Sequence, residues 1–260
     1  MSIGMNPGVR DRWQRRRWLA AAAGLAGACW LPAHAQARSP LPPLDAPPGP
    51  DGWPPGWAHQ TLPKVARTNR YDSVIAEDGA RVLRVHSAAA ASTLVARLGS
   101  VRLGAGATLQ WRWRVSGAVP GSDLRVRTGD DYAARLYLLF DLPLERLALG
   151  DRLRLQAARA LSGTDVPAAA LCYVWGTAQP EGTQAPNPYT DRVRMVVLDS
   201  GDGHARQWRG HRRDIARDWR DAFGAGELPP LAAVAVGADT DNTGAEVTAW
   251  FAELVLDPGA

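Results

Sequence analysis

LQWRWRV, residues 109–115, sets Leu109, Trp111, Trp113 and Val115 at alternate positions, with Gln110, Arg112 and Arg114 between them. Successive side chains of an extended chain point to opposite faces, so this period of two gathers the large apolar groups on one side of a strand. A helix would spread both sets around its axis. The stretch is therefore a strand with one buried face, and strands of that kind bury it by packing one sheet on another.

The same reading extends outward to 82–86, 93–98, 124–128, 133–140, 170–175, 192–198, 231–237 and 247–256. Between these runs, Glu77-Asp78-Gly79, Asp199-Ser200-Gly201-Asp202-Gly203 and Asp241-Asn242-Thr243-Gly244 supply residues that tolerate positive φ, the middle one in the manner of a hairpin tip. One helix stands out in RDIARDWRDAFG (213–224), where Ile215, Trp219 and Phe223 recur every four residues and Gly224 follows as a cap. The expected fold is all-β, an antiparallel β-sandwich with one short helix closing an end.

Charge is placed unevenly. Arg10, Arg12, Arg15, Arg16 and Arg17 against Asp11 give the first 37 residues a net charge of +4, the whole of the chain's formal excess. WLAAAAGLAGACWL comes next, then Ala33-His34-Ala35 and Ala35-Gln36-Ala37, both small-x-small patterns. Residues 1–37 thus read as a secretory signal peptide cut after Ala35 or Ala37, and the expected location is periplasmic or secreted. Arg15-Arg16-Arg17-Trp18-Leu19 resembles a twin-arginine signal, with Gln14 where that motif has Ser or Thr, so Sec export stands beside it. The apolar run is too short to span a membrane, so no membrane span is expected after cleavage. With the signal subtracted, the charge is balanced and nucleic acid is not an expected partner. Cleavage would also remove Cys29 and leave Cys172 without an intrachain partner, in a run that reads as core.

From Ser39 to Trp57 the sequence SPLPPLDAPPGPDGWPPGW favours extended polyproline conformation, so 38–57 reads as a spacer and 58–260 as one domain. HExxH, GxSxG, P-loop and GxGxxG patterns are all missing, and His59, His86, His204 and His211 have no ligand-like spacing.

Candidate chemistry begins in RTGDDYAARLYLLFD (127–141). Alternation puts Tyr132, Ala134, Leu136, Leu138 and Phe140 on one face and Ala133, Arg135, Tyr137, Leu139 and Asp141 on the other. Arg135 and Tyr137 become neighbours, and Asp130 and Asp131 are placed to orient the guanidinium. A bland alternative is an ordinary surface arginine. In GADTDNTG (237–244), Asp239, Asp241 and Asn242 offer alternating oxygen ligands of the kind calcium takes, although the spacing is not that of an EF-hand and the same residues build turns. Trp175, in LCYVWG (171–176), and Tyr189, in a loop whose Pro, Asn and Gly content argues against regular structure, are candidate stacking surfaces for a sugar ring; the alternative for Trp175 is the core.

Taken in order, LQWRWRV, GDDYAARLYLLFD, ALCYVWG, NPYTDRVRMVVLDSG, RDIARDWRDAFG and GADTDNTG…AWFAEL resemble the exported bacterial family called domain of unknown function 3047. That resemblance implies a jelly-roll, galactose-binding-like sandwich and carries no activity. Three functions remain open. The first is an exported binding protein for a glycan or other polyhydroxylated or anionic small ligand, using Asp130, Asp131, Arg135, Tyr137, Trp175, Tyr189, Asp239, Asp241 and Asn242, with calcium possible at Asp239 and Asp241 and no other cofactor. The second is an envelope hydrolase or lyase with Asp130, Asp131, Asp239 and Asp241 as acid and base. The third is a structural or partner-binding envelope protein, in which Arg135 would be buried in an ion-pair network with no adjoining cavity.

Overall fold

A computed structural model describes residues 39–62, 65–142 and 168–260. The signal-peptide reading of 1–37 lies outside the described residues. Two sheets face each other, as expected. The larger is ordered β1 (Ala58–Thr61), β4 (Ala91–Val101), β11 (Leu231–Asp239), β6 (Tyr132–Phe140), β7 (Ala169–Gly176), β9 (Thr190–Ser200) and β8 (Gln184–Asn187). The smaller is ordered β10 (Arg209–Asp214), β5 (Thr108–Val115), β12 (Glu246–Asp257), β3 (Arg81–Ala88) and β2 (Arg70–Ile75). All pairings are antiparallel except β7 with β9, which run parallel because β8 intervenes in sequence and pairs on the far side of β9.

The opening strand behaves as its alternation dictates. Leu109, Trp111, Trp113 and Val115 are buried between the sheets, where Trp111 stacks on Tyr173 from the opposite sheet with ring centroids 5.2 Å apart. Each fully buried side chain of this size contributes about 1.5–3 kcal/mol. On the outer face, Arg114 lies over Trp250 at 4.4 Å and Arg112 over Trp208 at 4.5 Å, so the polar half of the pattern is also ordered. The helix α1 (Ile215–Phe223) is capped by Asp214, whose side chain accepts from the Arg217 N–H, and ends at Gly224 with φ 87°. Its Trp219 meets Phe140, at the end of β6, with centroids 4.7 Å apart.

Four local expectations are corrected. Residues 124–128 are not a strand: Leu124 is buried but 125–128 are exposed, and the chain turns into a 3-10 helix over Arg127–Gly129. The 199–203 turn is no hairpin tip, since it carries the chain from β9 in the large sheet to β10 in the small one. The loop after Trp175 contains β8, in which Pro186 is tolerated because β8 is an edge strand. Finally, the described part of the expected spacer lies against the sandwich. Leu41 and Leu44 join the core, the Trp57 indole N–H donates to the Pro42 carbonyl (3.2 Å), and the Leu256 N–H donates to Ser39 Oγ (3.0 Å).

Candidate functional site

Register across the large sheet aligns side chains on its outer face in three rows. Thr93, Gly237 and Arg135 form the first, Val95, Ala235 and Tyr137 the second, and Arg97, Ala233 and Leu139 the third. The middle member of every row comes from β11 and is Gly or Ala. A column of small residues between two columns of large ones is a trough, and a cavity of about 620 Å³ lies there, with Asp239 and Arg135 among the residues lining it. From 233 to 239 it runs about 20 Å at the usual rise of a strand. Gly237 is required for a second reason, because a Cβ there would come within 2.7 Å of the Ser92 carbonyl oxygen on β4.

Arg135 sits at the polar end of this trough, 6 % exposed. It pairs with Asp130 (Nη2 to Oδ1, 3.0 Å) and Asp239 (Nη2 to Oδ2, 3.2 Å), donates from Nη1 to the Tyr137 hydroxyl (2.8 Å) and from Nη2 to the Asp130 carbonyl, and lies over the Tyr132 ring at 4.6 Å. The Tyr132 contact departs from simple alternation. Arg135 pairs with Gly237 but Tyr132 with Asp239, so three steps along β6 match two along β11. That bulge returns Tyr132 to the outer face, where it packs with Cys172 and Val174, while Ala133 and Ala134 both go to the core. Asn187 holds Asp130 from the other side, Nδ2 to Oδ2 at 2.8 Å.

Asp131 does not orient the guanidinium, as its place beside Asp130 had implied. It is fully buried and accepts from Asn242 N (3.3 Å), Asn242 Nδ2 (3.0 Å) and Thr243 N (2.6 Å), pinning the β11–β12 loop. Side-chain oxygens of Asp131, Asp239 and Asp241 all lie within 4.8 Å of one another. Burial, together with Asp241 and Asp131 beside it, holds Asp239 well above the usual carboxylate range in spite of Arg135. Burial likewise pushes the Tyr137 phenol up.

Two candidate residues lie elsewhere. Trp175 is core: it is fully buried between the sheets with its indole N–H donated to the Gly201 carbonyl (3.0 Å), and it offers no face to a ligand. Tyr189 is 53 % exposed, over Arg127, with its hydroxyl 3.3 Å from Asn242 Oδ1; it touches the loop behind the acidic cluster and does not line the trough. The trough floor is the part that sequence reasoning missed. Its signal is present in LAAVAVGAD, where Val234 and Val236 alternate with Ala233, Ala235 and Gly237. Two buried acids on the inner side were missed as well. Asp199 accepts from Trp113 Nε1 (2.6 Å), Arg209 Nε (2.7 Å) and lies 2.7 Å from His211 Nε2. Asp218 accepts from the Tyr173 hydroxyl (2.7 Å) and Arg213 Nε (2.8 Å).

The family model for a protein of unknown function, DUF3047, matches residues 55–255, through the strands that carry this site. The chain belongs to the DUF3047 family. No curated protein matches this DUF3047 chain. Among solved structures it is similar to the family 30 carbohydrate-binding module of the cellulosomal cellulase Cel9D-Cel44B of Clostridium thermocellum (11% identity, 78% of this chain and 91% of that one, TM-score 0.35). It is also similar to the cellulose induced protein Cip1 (12% identity, 78% and 93%, TM-score 0.32). A third likeness is to the glycoside hydrolase domain of Endo-D from Streptococcus pneumoniae R6 (11% identity, TM-score 0.34); there the DUF3047 chain spans 22% of that chain against 78% of its own. At these TM-scores the likenesses bear on no ligand. Among the described residues no helix is long and apolar enough to cross a membrane.

Proposed function

We propose that this is an exported binding protein that takes an elongated, polyhydroxylated ligand of the glycan class in the trough on the outer face of the large sheet. The observation that carries the reading is the trough itself, an apolar channel along β11 that ends on a guanidinium fixed by its neighbours. Leu62, Tyr137 and Leu139 offer accessible apolar surface of the kind sugar C–H faces need, and the Tyr137 hydroxyl and Arg135 offer polar groups for hydroxyls. The structural alternative predicts Arg135 buried in an ion-pair network with no adjoining cavity; the network is present, and the cavity beside it favours binding over that reading.

The polar end argues for a neutral rather than an anionic ligand. Asp130, Asp131, Asp239 and Asp241 surround one guanidinium, formally −3 among these five side chains. Arg135 is already committed to two of those carboxylates, so a ligand carboxylate or sulfate would meet net repulsion. A specific observation also favours hydrolysis as a second reading: burial and neighbouring acids raise Asp239 above the usual carboxylate range, next to the exposed Asp241.

Calorimetric titration of the purified protein against neutral and uronic-acid oligosaccharides tests both. Binding to neutral chains that is lost in Thr93→Trp, which fills the trough from its β4 wall, is the expected result. Absence of binding across the panel, or equal binding by Thr93→Trp at unchanged melting temperature, refutes the proposal. Shortened products after incubation would establish the hydrolytic reading in its place.

A further inference from the structure

The acidic cluster beyond the end of the trough has a defect that hydrogen bonding within the protein does not repair. Asp239 is 7 % exposed, and its Oδ1 is shielded from solvent with no donor, while Oδ2 faces Arg135. A buried carboxylate oxygen without a donor is destabilising, because it has given up its water for nothing. Its near neighbours are two more carboxylates, Asp131 and Asp241. Three acids whose oxygens come this close, one of them carrying an unsatisfied buried oxygen, need either a proton or a cation between them.

We propose that Asp131, Asp239 and Asp241 bind a calcium ion. The donors are all oxygen, which selects a hard cation over zinc or copper. Geometry separates the two common hard cations, since calcium accepts an irregular set of protein oxygens whereas magnesium demands a near-ideal octahedron and gives up its water reluctantly. Side-chain oxygens of the three acids lie within 4.8 Å of one another, close enough to share one ion. Asp131 is fixed in place by the N–H groups of Asn242 and Thr243, and the loop held in this way brings Asp241 to the same point, so two of the three ligands are preorganised by one set of hydrogen bonds. Asp241 is exposed, which gives the ion a path from solvent and leaves coordination positions for water or a ligand hydroxyl. Arg135, on the Oδ2 side of Asp239, offsets part of the cluster's charge and keeps the site in the weak range.

The metal alone is the probe, so the result does not depend on the glycan reading, and either can fail without the other. Calcium titrated calorimetrically into chelator-treated protein should bind at one site with Kd of about 10⁻⁴–10⁻³ M, the range of extracellular calcium modules, and magnesium at least about tenfold more weakly. Calcium should also raise the melting temperature. Asp241→Asn, at an exposed position, should fold normally, bind calcium at least about tenfold more weakly and lose the thermal shift. Asp221→Asn, on the exposed face of α1 away from the cluster, should behave as the unaltered protein. No calcium heat up to about 10 mM, unchanged binding in Asp241→Asn, or an equal loss in Asp221→Asn would overturn the proposal.

Discussion

Replacing Arg135 by methionine removes the charge while keeping most of the stem, and the burial of its partners sets the cost. Asp130, Arg135 and Asp239 are 5 %, 6 % and 7 % exposed, so neither carboxylate is relieved by solvent when the guanidinium goes. Deleting one partner of a buried pair costs about 3–5 kcal/mol, which for a domain of this size lowers Tm by about 6–20 °C. The penalty must also depend on pH. Asp239 already sits well above its ordinary value, and Arg135 is the group that pulls it down, so the variant's Asp239 lies higher still. Where the native variant holds a proton that the native parent has released, the variant loses stability faster as pH rises. The stability gap is therefore smallest below both folded values, where Asp239 is neutral in each protein, and largest above them. Urea unfolding of both proteins in chelator over a pH series measures it. A gap under about 1 kcal/mol at the alkaline end, or one that stays constant across the series, would refute the reasoning that Arg135 is chiefly a counter-charge for Asp239.

Buried groups on either side of the large sheet yield two further expectations. Burial alone would push Asp199 up, but His211, Trp113 and Arg209 together hold it below the usual range, so its stabilisation is present above about pH 4 and lost as pH falls through the folded value. Asp199→Asn should be about 1.5–3 kcal/mol less stable near neutrality, with the gap closing on acidification in urea melts; a gap that stays constant would contradict the assignment. Burial pushes the Cys172 thiol up to about 12, and it is fully buried between β6 and β9, so iodoacetamide should label it only after unfolding; ready labelling of native protein would show that the outer face of the sheet opens.

The parts of this molecule that were legible in the sequence are those governed by one strand at a time. Alternation in 109–115 and 134–140 assigned inner and outer faces correctly, because a strand buried on one side must place its large apolar groups there; the bulge reversed it at Tyr132 and Ala133. The helix was legible for the same local reason, through its four-residue repeat and its capping glycine. Strands that lie at sheet edges escaped notice. β10 (Arg209–Asp214) is dominated by polar residues, β2 (Arg70–Ile75) carries polar residues at half its positions, and β8 contains a proline, since an edge needs neither continuous apolar character nor every N–H.

The site was only half legible because it exists in the pairing between strands. Arg135 and Tyr137 were identifiable as neighbours from their spacing, yet the trough beside them depends on Gly237 and Ala235 falling opposite them in register, a long-range pairing that no local pattern encodes. The bulge is the sharper case. One extra residue in β6, invisible as a break in the apolar run, turns Tyr132 outward beneath the guanidinium and changes which way the chain enters from Asp130 and Asp131. After that turn Asp130 meets Arg135, while Asp131 points to the β11–β12 loop and the two other acids. Two adjacent aspartates that look equivalent in the sequence thus take opposite tasks, one neutralising the arginine and the other fixing the loop that completes the acidic cluster. Shifting the bulge by deleting Ala133 would exchange those directions, so it should abolish the arginine pair and the calcium response together while leaving the inner alternation of 134–140 in place.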